Sequence, residues 1–221
     1  MKKLIKGIIE FRRNVLDSYK ETFAQLALYQ KPDSLFIGCS DSRVVPNLFA
    51  STNPGDLFVL RNIGNIIPQN DNTNSAQNET SVAAVIDFAL NQLNVTNVII
   101  CGHSECAAIS AIIDGRESIQ SPHLRNWLSY GEVILQPSIA DRLINTNLKQ
   151  HNFLSQLNVL LQLDHLKTYP SVQEKLATGK ITIHGWWFDI AKADVYAFEE
   201  ELKQFVLIDE TEAEKILERL K

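Results

Sequence analysis

Residues 34–43, SLFIGCSDSR, and residues 96–106, TNVIICGHSEC, determine the fold class of this chain. Each begins with an apolar run that is too short for a helix, which predicts a strand buried on both faces. A third strand is predicted at residues 56–60, DLFVL, after the turn signal Asn53-Pro54-Gly55. Helical patterns separate the three strands. The alternation predicts an α/β fold with a mainly parallel central β-sheet flanked by helices.

The remaining segments are predicted to be largely helical. Apolar residues at helical spacing predict one long N-terminal helix over residues 3–28. The polar residues 69–78, QNDNTNSAQN, predict a surface loop. Further helices are predicted at residues 79–92 and 106–114, over most of 122–178 and from about 211, and further strands at 180–190 and 194–199.

Composition excludes several classes of partner. A formal charge of -5 without a run of basic residues argues against nucleic acid. Every apolar stretch is shorter than the roughly 20 residues that cross a bilayer, so we predict no membrane contact. Charged residues such as Glu10 and Arg12 interrupt the apolar start of the chain, which argues against a signal peptide and predicts a cytoplasmic protein. Three cysteines in such a chain do not suggest a disulfide framework.

Metal-binding side chains follow two of the predicted strands. Cys39 ends the first strand, and His103 and Cys106 follow the third. Because ligand sites in open α/β sheets lie beyond the carboxyl ends of strands, we expect these three residues to meet in one crevice. One imidazole and two thiolates suit tetrahedral zinc with a fourth position open for water. The spacing of His103 and Cys106 predicts that both lie on one side of a helical turn.

Each residue also has a simpler interpretation. Cys39 taken alone is a small buried hydrophobic residue, as free cysteines often are. His103 taken alone is a core histidine bonded to a carbonyl, and Asp41 with Arg43 is a solvated surface pair. Cys101 lies inside a strand, and we assign it to packing. The convergence of the other residues on one crevice favours the metal site.

The motifs CSDSRV, PGDLFVLRN, GHSEC and HGWWFDI, in this order and spacing, resemble those of the β-class carbonic anhydrases. The resemblance extends from about Gln30 to Phe205. It implies an enzyme, a carbonate dehydratase, that hydrates carbon dioxide reversibly to bicarbonate and a proton by attack of zinc-bound hydroxide. It also implies one Zn²⁺ per chain, a parallel sheet extended by an antiparallel edge strand, and a dimer as the smallest functional unit.

The resemblance carries specific roles to positions in this sequence. It implies that Cys39, His103 and Cys106 are the zinc ligands and that Asp41 and Arg43 form a catalytic dyad. Asp41 also becomes a fourth zinc ligand if the site closes. Substrate-binding roles are implied for five positions around the pocket. Phe58, Ile63 and Phe88 line it, Ala107 offers its backbone N–H, and Gln30 reaches the site of a partner subunit.

Three positions depart from the family pattern. Phe88 stands where tyrosine is usual, which removes a hydroxyl from the pocket rim, and Ala107 stands where glycine is usual. Phe36 stands where bicarbonate-regulated members carry tryptophan. The last difference favours the plant-like subtype, in which the zinc site stays open. In that state Arg43 holds Asp41 ionised through a bidentate contact and keeps it off the metal.

The sequence also predicts how the chain is organised and how it assembles. We expect one domain over residues 1–221, with an N-terminal helical arm at 1–30 and a zinc-site core at 31–115; residues 116–221 supply a helical segment, edge strands and a C-terminal helix. The arm is expected to cross onto a partner subunit. The segment ITIHGWWFDI, residues 181–190, resembles an edge strand, so a tetramer or a larger homo-oligomer built through it is a second expectation.

Three other functions compete with the zinc lyase. A zinc hydrolase of a carbon dioxide analogue such as carbon disulfide would use the same ligands. A thiol-based redox protein would use Cys39 or Cys106 as a nucleophile and bind no metal. A non-catalytic zinc-binding module would normally close its site with a fourth protein ligand. Four further histidines are candidates for a proton shuttle by residue type alone, and the sequence places none of them: His123, His151, His165 and His184.

Overall fold

The computed structural model describes residues 1–70, 80–144 and 147–220. The strands in these residues are β1 (Ser34–Cys39), β2 (Leu57–Asn62), β3 (Asn97–His103), β4 (Thr182–Asp189), β5 (Asp194–Glu199) and β6 (Gln204–Leu207). The α-helices are α1 (Lys2–Asn14), α2 (Leu16–Leu26), α3 (Pro46–Phe49), α4 (Thr80–Asn91), α5 (Ala107–Ile113), α6 (Pro122–Ser129), α7 (Pro137–Ala140), α8 (Gln150–Leu166), α9 (Pro170–Ala177) and α10 (Glu210–Arg219). Most of the predicted loop at 69–78 lies outside the described residues.

The six strands form one sheet in the order β2-β1-β3-β4-β5-β6. The first four strands are parallel, and β5 and β6 extend the sheet as antiparallel strands. β1 and β3 are buried along almost their whole length, because they lie inside the sheet and core clusters cover both of its faces. The predicted α/β class, with a mainly parallel sheet and an antiparallel edge, is therefore confirmed.

The core lies mainly between one face of the sheet and α8. Leu35 and Ile37 of β1 and Val98 and Ile100 of β3 belong to this large cluster. A smaller cluster on Phe36, Ile99 and Cys101 packs the other side of the same strands. Cys101 is completely buried there, as its predicted packing role requires. The alternation of side chains along β1 and β3 explains why consecutive residues enter different clusters.

Two expectations from the sequence need correction, and one strand was not predicted. The N-terminal segment forms two helices, α1 and α2, because the backbone of Val15 leaves the helical conformation at φ -121°. The segment at 181–190 forms β4, an interior strand between β3 and β5, so it is not the predicted edge strand. β6 was not predicted, and it forms the antiparallel edge instead.

The helices of the described residues are short or punctuated by polar side chains. None of them combines the length and the apolar character that a bilayer crossing requires.

Candidate metal centre

The carboxyl ends of two adjacent strands bring the predicted ligands together. β1 pairs directly with β3, and Gly38 lies opposite Cys101. Cys39 and His103 are therefore the last residues of neighbouring parallel strands. Cys106 follows three residues later, as the residue that precedes α5. This arrangement confirms the expectation that the strand ends share one crevice.

The side chains of Cys39, His103 and Cys106 form a compact donor group. Their three ligand atoms lie within 4.8 Å of one another, and all three residues are buried. The Nδ1 atom of His103 lies 2.8 Å from the carbonyl oxygen of Ser104, so this nitrogen carries the ring proton and donates. The other nitrogen, Nε2, is buried without a hydrogen-bond partner in the described residues.

This donor set fits zinc. Zinc binds cysteine sulfur at about 2.3 Å and histidine nitrogen at about 2.0 Å, so its ligand atoms lie within a few ångströms of each other. A zinc-ligating histidine normally donates its other N–H to a carbonyl or a carboxylate, as His103 does to Ser104. His103 Nε2 has no hydrogen-bond partner among the residues that the structure describes, so its lone pair is available to a metal. Three protein ligands leave the fourth tetrahedral position for water.

The thiols of Cys39 and Cys106 share a hydrogen bond. A hydrogen bond from Cys106 is the largest contribution, and with contacts to His103 and backbone N–H groups it lowers the pKa of Cys39 to about 4. The same contact with Cys39, together with burial, raises the pKa of Cys106. One sulfur is therefore stabilised as a thiolate, which is the form that binds metals.

The link between His103 and Cys106 is a turn rather than the predicted helical turn. His103 is still in β3, Ser104 and Glu105 form the turn, and α5 begins after Cys106. Glu105 takes a left-handed conformation with φ of 53°, which few residues other than glycine adopt. The left-handed Glu105 interrupts any helical path, so a tight turn, and not a helical turn, brings the two ligands together.

Asp41 and Arg43 form the bidentate pair that the sequence predicts. Arg43 Nε donates to Asp41 Oδ1 at 2.9 Å, and Arg43 Nη2 donates to Asp41 Oδ2 at 2.7 Å. These hydrogen bonds hold the pKa of the Asp41 carboxyl well below its usual range. Asp41 Oδ2 also lies 3.9 Å from His103 Nε2, which puts the carboxylate beside the donor group. Asp41 is therefore ionised and close to the metal position.

Several contacts of the site were not predicted. Arg43 Nη2 also donates to the Glu105 carbonyl oxygen at 3.0 Å and so links the two strand ends. Arg61 donates to the carbonyl oxygens of Cys39 and Asp41 at 2.9 and 2.6 Å. The backbone N–H of Gly64 donates to Cys39 Sγ at 3.4 Å. Arg61 lies near the carboxyl end of β2, so the strand-end argument applied to β2 would have found it.

The apolar side chains to which the resemblance gives pocket roles are partly exposed in the single chain. Phe58 and Phe88 stack with ring centroids 5.8 Å apart. Phe88 is nevertheless 43% exposed and Ile63 is 44% exposed, so these residues do not make a dry surface by themselves. Ala107 is the first residue of α5 and is exposed. The substrate-binding roles of Phe58, Ile63, Phe88 and Ala107 stay a prediction.

Gln30 lies at the opposite end of the sheet from Cys39 of its own chain. Leu26 packs against Gly55, just before β2, and Ser34 begins β1, so the anchors on both sides of Gln30 lie at the amino ends of strands. The six residues of β1 separate that end from Cys39 by about 16 Å, at about 3.3 Å per residue. Gln30 is exposed and does not join the site of its own chain.

Comparison with protein families and relatives gives one consistent result. A family model described as carbonic anhydrase matches residues 34–195. A carbonic anhydrase of Helicobacter pylori strain J99 is 36% identical over 214 residues, which cover 95% of this chain and 96% of that protein. A carbonic anhydrase of Pseudomonas aeruginosa is 34% identical over 216 residues, covering 95% of this chain and 93% of that protein.

Solved structures agree with the sequence relatives. The β-carbonic anhydrase CcaA is 35% identical, with a TM-score of 0.82 over 94% of this chain and 98% of that chain. One of two tetrameric β-carbonic anhydrases of Sordaria macrospora is 26% identical, with a TM-score of 0.74 over 89% of this chain and 95% of that chain. The family match, the relatives, the sheet order and the buried Cys-His-Cys group together establish that this chain belongs to the β-class carbonic anhydrases.

Proposed function

We propose that this protein catalyses the reversible hydration of carbon dioxide to bicarbonate and a proton, with one zinc ion held by Cys39, His103 and Cys106. The observation that carries the proposal is the buried donor group with its unpartnered His103 nitrogen, beside an aspartate clamped by arginine. A purely structural zinc site would have a fourth protein ligand in place of this polar pair.

Carbon dioxide is a weak electrophile and needs a strong nucleophile at neutral pH. Zinc supplies this chemistry when bound, because it lowers the pKa of a coordinated water to about 7, a value that is known from carbonic anhydrase itself. The contribution of the protein is to fix the ligands. His103 is oriented by Ser104, and Cys39 receives the N–H of Gly64.

Asp41 orients the nucleophile. An ionised carboxylate can only accept hydrogen bonds, so a water held by Asp41 must direct its proton toward the carboxylate and a lone pair toward the substrate. Arg43 fixes the direction of this acceptor because its planar guanidinium engages both carboxylate oxygens. In this role Asp41 positions the reacting oxygen, and Arg43 acts through Asp41.

The same clamp supports the open, plant-like subtype. Both oxygens of Asp41 are engaged by Arg43, through its side chain and its backbone N–H. An Asp41 that turned onto the metal as a fourth ligand would disturb this planar, bidentate geometry. We therefore propose that Asp41 stays off the metal at rest, so that the fourth position remains available to water.

A second copy of the chain completes the substrate pocket in this proposal. Phe58, Ile63 and Phe88 line the carbon dioxide side, and the backbone N–H of Ala107 and the amide of Gln30 contact the developing bicarbonate. Gln30 lies too far from its own site, so the partner's copy must supply it. The tetrameric relative from Sordaria macrospora supports self-association.

The N-terminal arm, residues 1–30, is the proposed means of this assembly. α1 and α2 contain no buried residue, and large apolar side chains such as Leu4 and Ile8 are 66% and 55% exposed. A dimer buries this surface and carries Gln30 to the partner. The proposal also treats the chain as one domain, with parts at residues 1–30, 31–115 and 116–221. It places the protein in the cytoplasm, and the three free cysteines support a reducing compartment.

Metal content measured together with stopped-flow carbon dioxide hydration tests the function. We expect about one zinc per chain and rapid hydration in the wild type, and loss of both in Cys106→Ser, because the serine hydroxyl is a poor zinc ligand. Carbon disulfide serves as a competing substrate in the same assay. Absence of zinc, or hydrolysis of carbon disulfide without hydration of carbon dioxide, would overturn the proposal.

Sedimentation at low protein concentration tests the assembly. The wild type is expected to sediment as a dimer or a larger species. A variant lacking residues 1–30 is expected to be monomeric, because it loses the exposed apolar surface, and to have low activity, because it lacks Gln30. A fully active wild-type monomer would contradict this part of the proposal.

A further inference from the structure

Helix α8 buries polar side chains that a core helix does not normally carry. Asn152, Ser155, Asn158, Gln162 and His165 are each at most 9% exposed. Their spacing of three or four residues places them on neighbouring turns of the helix. Burying polar groups costs free energy unless they are hydrogen-bonded. Their partners therefore indicate why the helix carries them.

One set of partners lies in the segment between β2 and α4. Asn158 Nδ2 donates to the Gly64 carbonyl oxygen at 3.0 Å. Gln162 Oε1 accepts the backbone N–H of Ile67 at 2.7 Å. Both contacts are buried and join residues more than ninety positions apart in the sequence. α8 therefore fixes the backbone of this segment at two points.

This segment contacts a zinc ligand directly. The N–H of Gly64 donates to Cys39 Sγ at 3.4 Å, and its carbonyl oxygen is held by Asn158. Gln162 Nε2 donates to Asn158 Oδ1 at 2.9 Å, which fixes the orientation of the Asn158 amide. A continuous series of hydrogen bonds thus runs from Gln162 through Asn158 and Gly64 to the sulfur of Cys39.

The same helix also holds the other strand end. Ser155 Oγ donates to the carbonyl oxygen of His103 at 2.7 Å, and it accepts from Trp187 Nε1 at 3.1 Å. Asn152 Oδ1 accepts the backbone N–H of Glu105 at 2.8 Å. Because Glu105 has a left-handed backbone, this contact supports the turn that joins His103 to Cys106.

We propose that the buried polar face of α8 positions the metal centre, and that Asn158 is the positioning residue which acts on Cys39 through the Gly64 N–H. The inference rests on the proposed zinc-dependent function. An N–H donated to a metal-bound thiolate withdraws electron density from the sulfur and fixes its direction. Loss of an outer contact of this kind typically costs about 10- to 100-fold in metal affinity or activity.

The test replaces Asn158 in two ways. Asn158→Asp keeps the size of the side chain and the acceptor for Gln162 but lacks the donor to Gly64. Asn158→Leu removes both polar functions at similar volume. Zinc affinity is measured by competition with a chelator, and we expect it to fall about 10- to 100-fold in both variants. In the cobalt(II)-substituted protein, the sulfur-to-cobalt charge-transfer band is expected to move to longer wavelength, because a sulfur without the N–H contact is a stronger electron donor.

A control on the same helix separates positioning from stability. Leu163 packs beside Gly185 of β4, and its apolar side chain takes no part in these hydrogen bonds, so Leu163→Ala is expected to lower stability while leaving zinc affinity and the cobalt spectrum unchanged. If neither Asn158 variant folds, Gln162→Glu removes only the donor that orients Asn158, and it is expected to cause a smaller change of the same sign.

The proposal is overturned if the variant that folds has the zinc affinity and cobalt spectrum of the wild type, or if Leu163→Ala changes both to the same extent. A wild-type protein that binds no zinc would instead refute the proposed function. The two failures are therefore distinguishable.

Discussion

Replacing Arg43 with lysine removes the planar fork that holds Asp41 but keeps a positive charge at the site. The fork makes three side-chain hydrogen bonds, two to Asp41 and one to the Glu105 carbonyl oxygen. A lysine ammonium is a point charge and cannot engage both carboxylate oxygens in one plane. Asp41 therefore keeps a cationic neighbour but is no longer held in a single orientation.

The size of the effect follows from the contacts that are lost. A hydrogen bond to a charged group contributes about 1.5–3 kcal/mol when water is excluded. Because the Arg43 side chain is 47% exposed and solvent screens its contacts, we take only the lower part of this range, about 1.5–2 kcal/mol, for the whole clamp. Because about 1.4 kcal/mol corresponds to a tenfold change in rate, kcat/KM is expected to fall about 10- to 30-fold.

Stopped-flow hydration assays on zinc-loaded protein measure this loss. Arg219→Lys is the matched control, because Arg219 makes the same bidentate contact with Glu199 at 2.7 and 2.8 Å on the β5 side of the sheet. The control is expected to keep full activity, and both variants are expected to keep their zinc. Wild-type kcat/KM in Arg43→Lys at full zinc occupancy would refute the role assigned to the clamp.

Two further predictions concern stability. Gly102→Ala is expected to lower the free energy of unfolding by about 1–3 kcal/mol, because the added Cβ would lie 2.7 Å from Val159 Cγ2 and 3.2 Å from the Ser155 carbonyl oxygen. Urea titration measures this change. Gly7→Ala is the control and should cause no loss, because its added Cβ meets nothing within 4 Å. Burial lowers the pKa of His165, so the unfolded chain binds a proton more readily than the folded protein, and stability should fall as pH drops below about 6.5. His165→Phe should reduce the slope of unfolding free energy against pH by at most about 1.4 kcal/mol per pH unit. Equal slopes in denaturant titrations of the wild type and the variant would contradict this role of His165.

Part of the site could be predicted because it depends on local signals. The apolar runs before Cys39 and His103 identify buried parallel strands, and the strand-end rule then puts the ligands in one crevice. The pair Asp41 and Arg43 is two residues apart, so its contact is also local. The strand β4 shows where this reasoning fails, because its interior position depends on pairing with β3, about eighty residues earlier in the sequence.

The sequence by itself determined the fold class and the chemistry of the ligands, since hydrophobic periodicity and residue type act over a few neighbouring positions. Only the tertiary structure decided the backbone contacts around the ligands. These are the left-handed turn at Glu105 and the hydrogen bond from Gly64 to Cys39, and the polar face of α8 holds the turn and the Gly64 segment in place. Every peptide group carries the same donor and acceptor, so the partner of a backbone atom cannot be inferred from the side chain beside it. It is set by the packing of segments that are distant in the sequence.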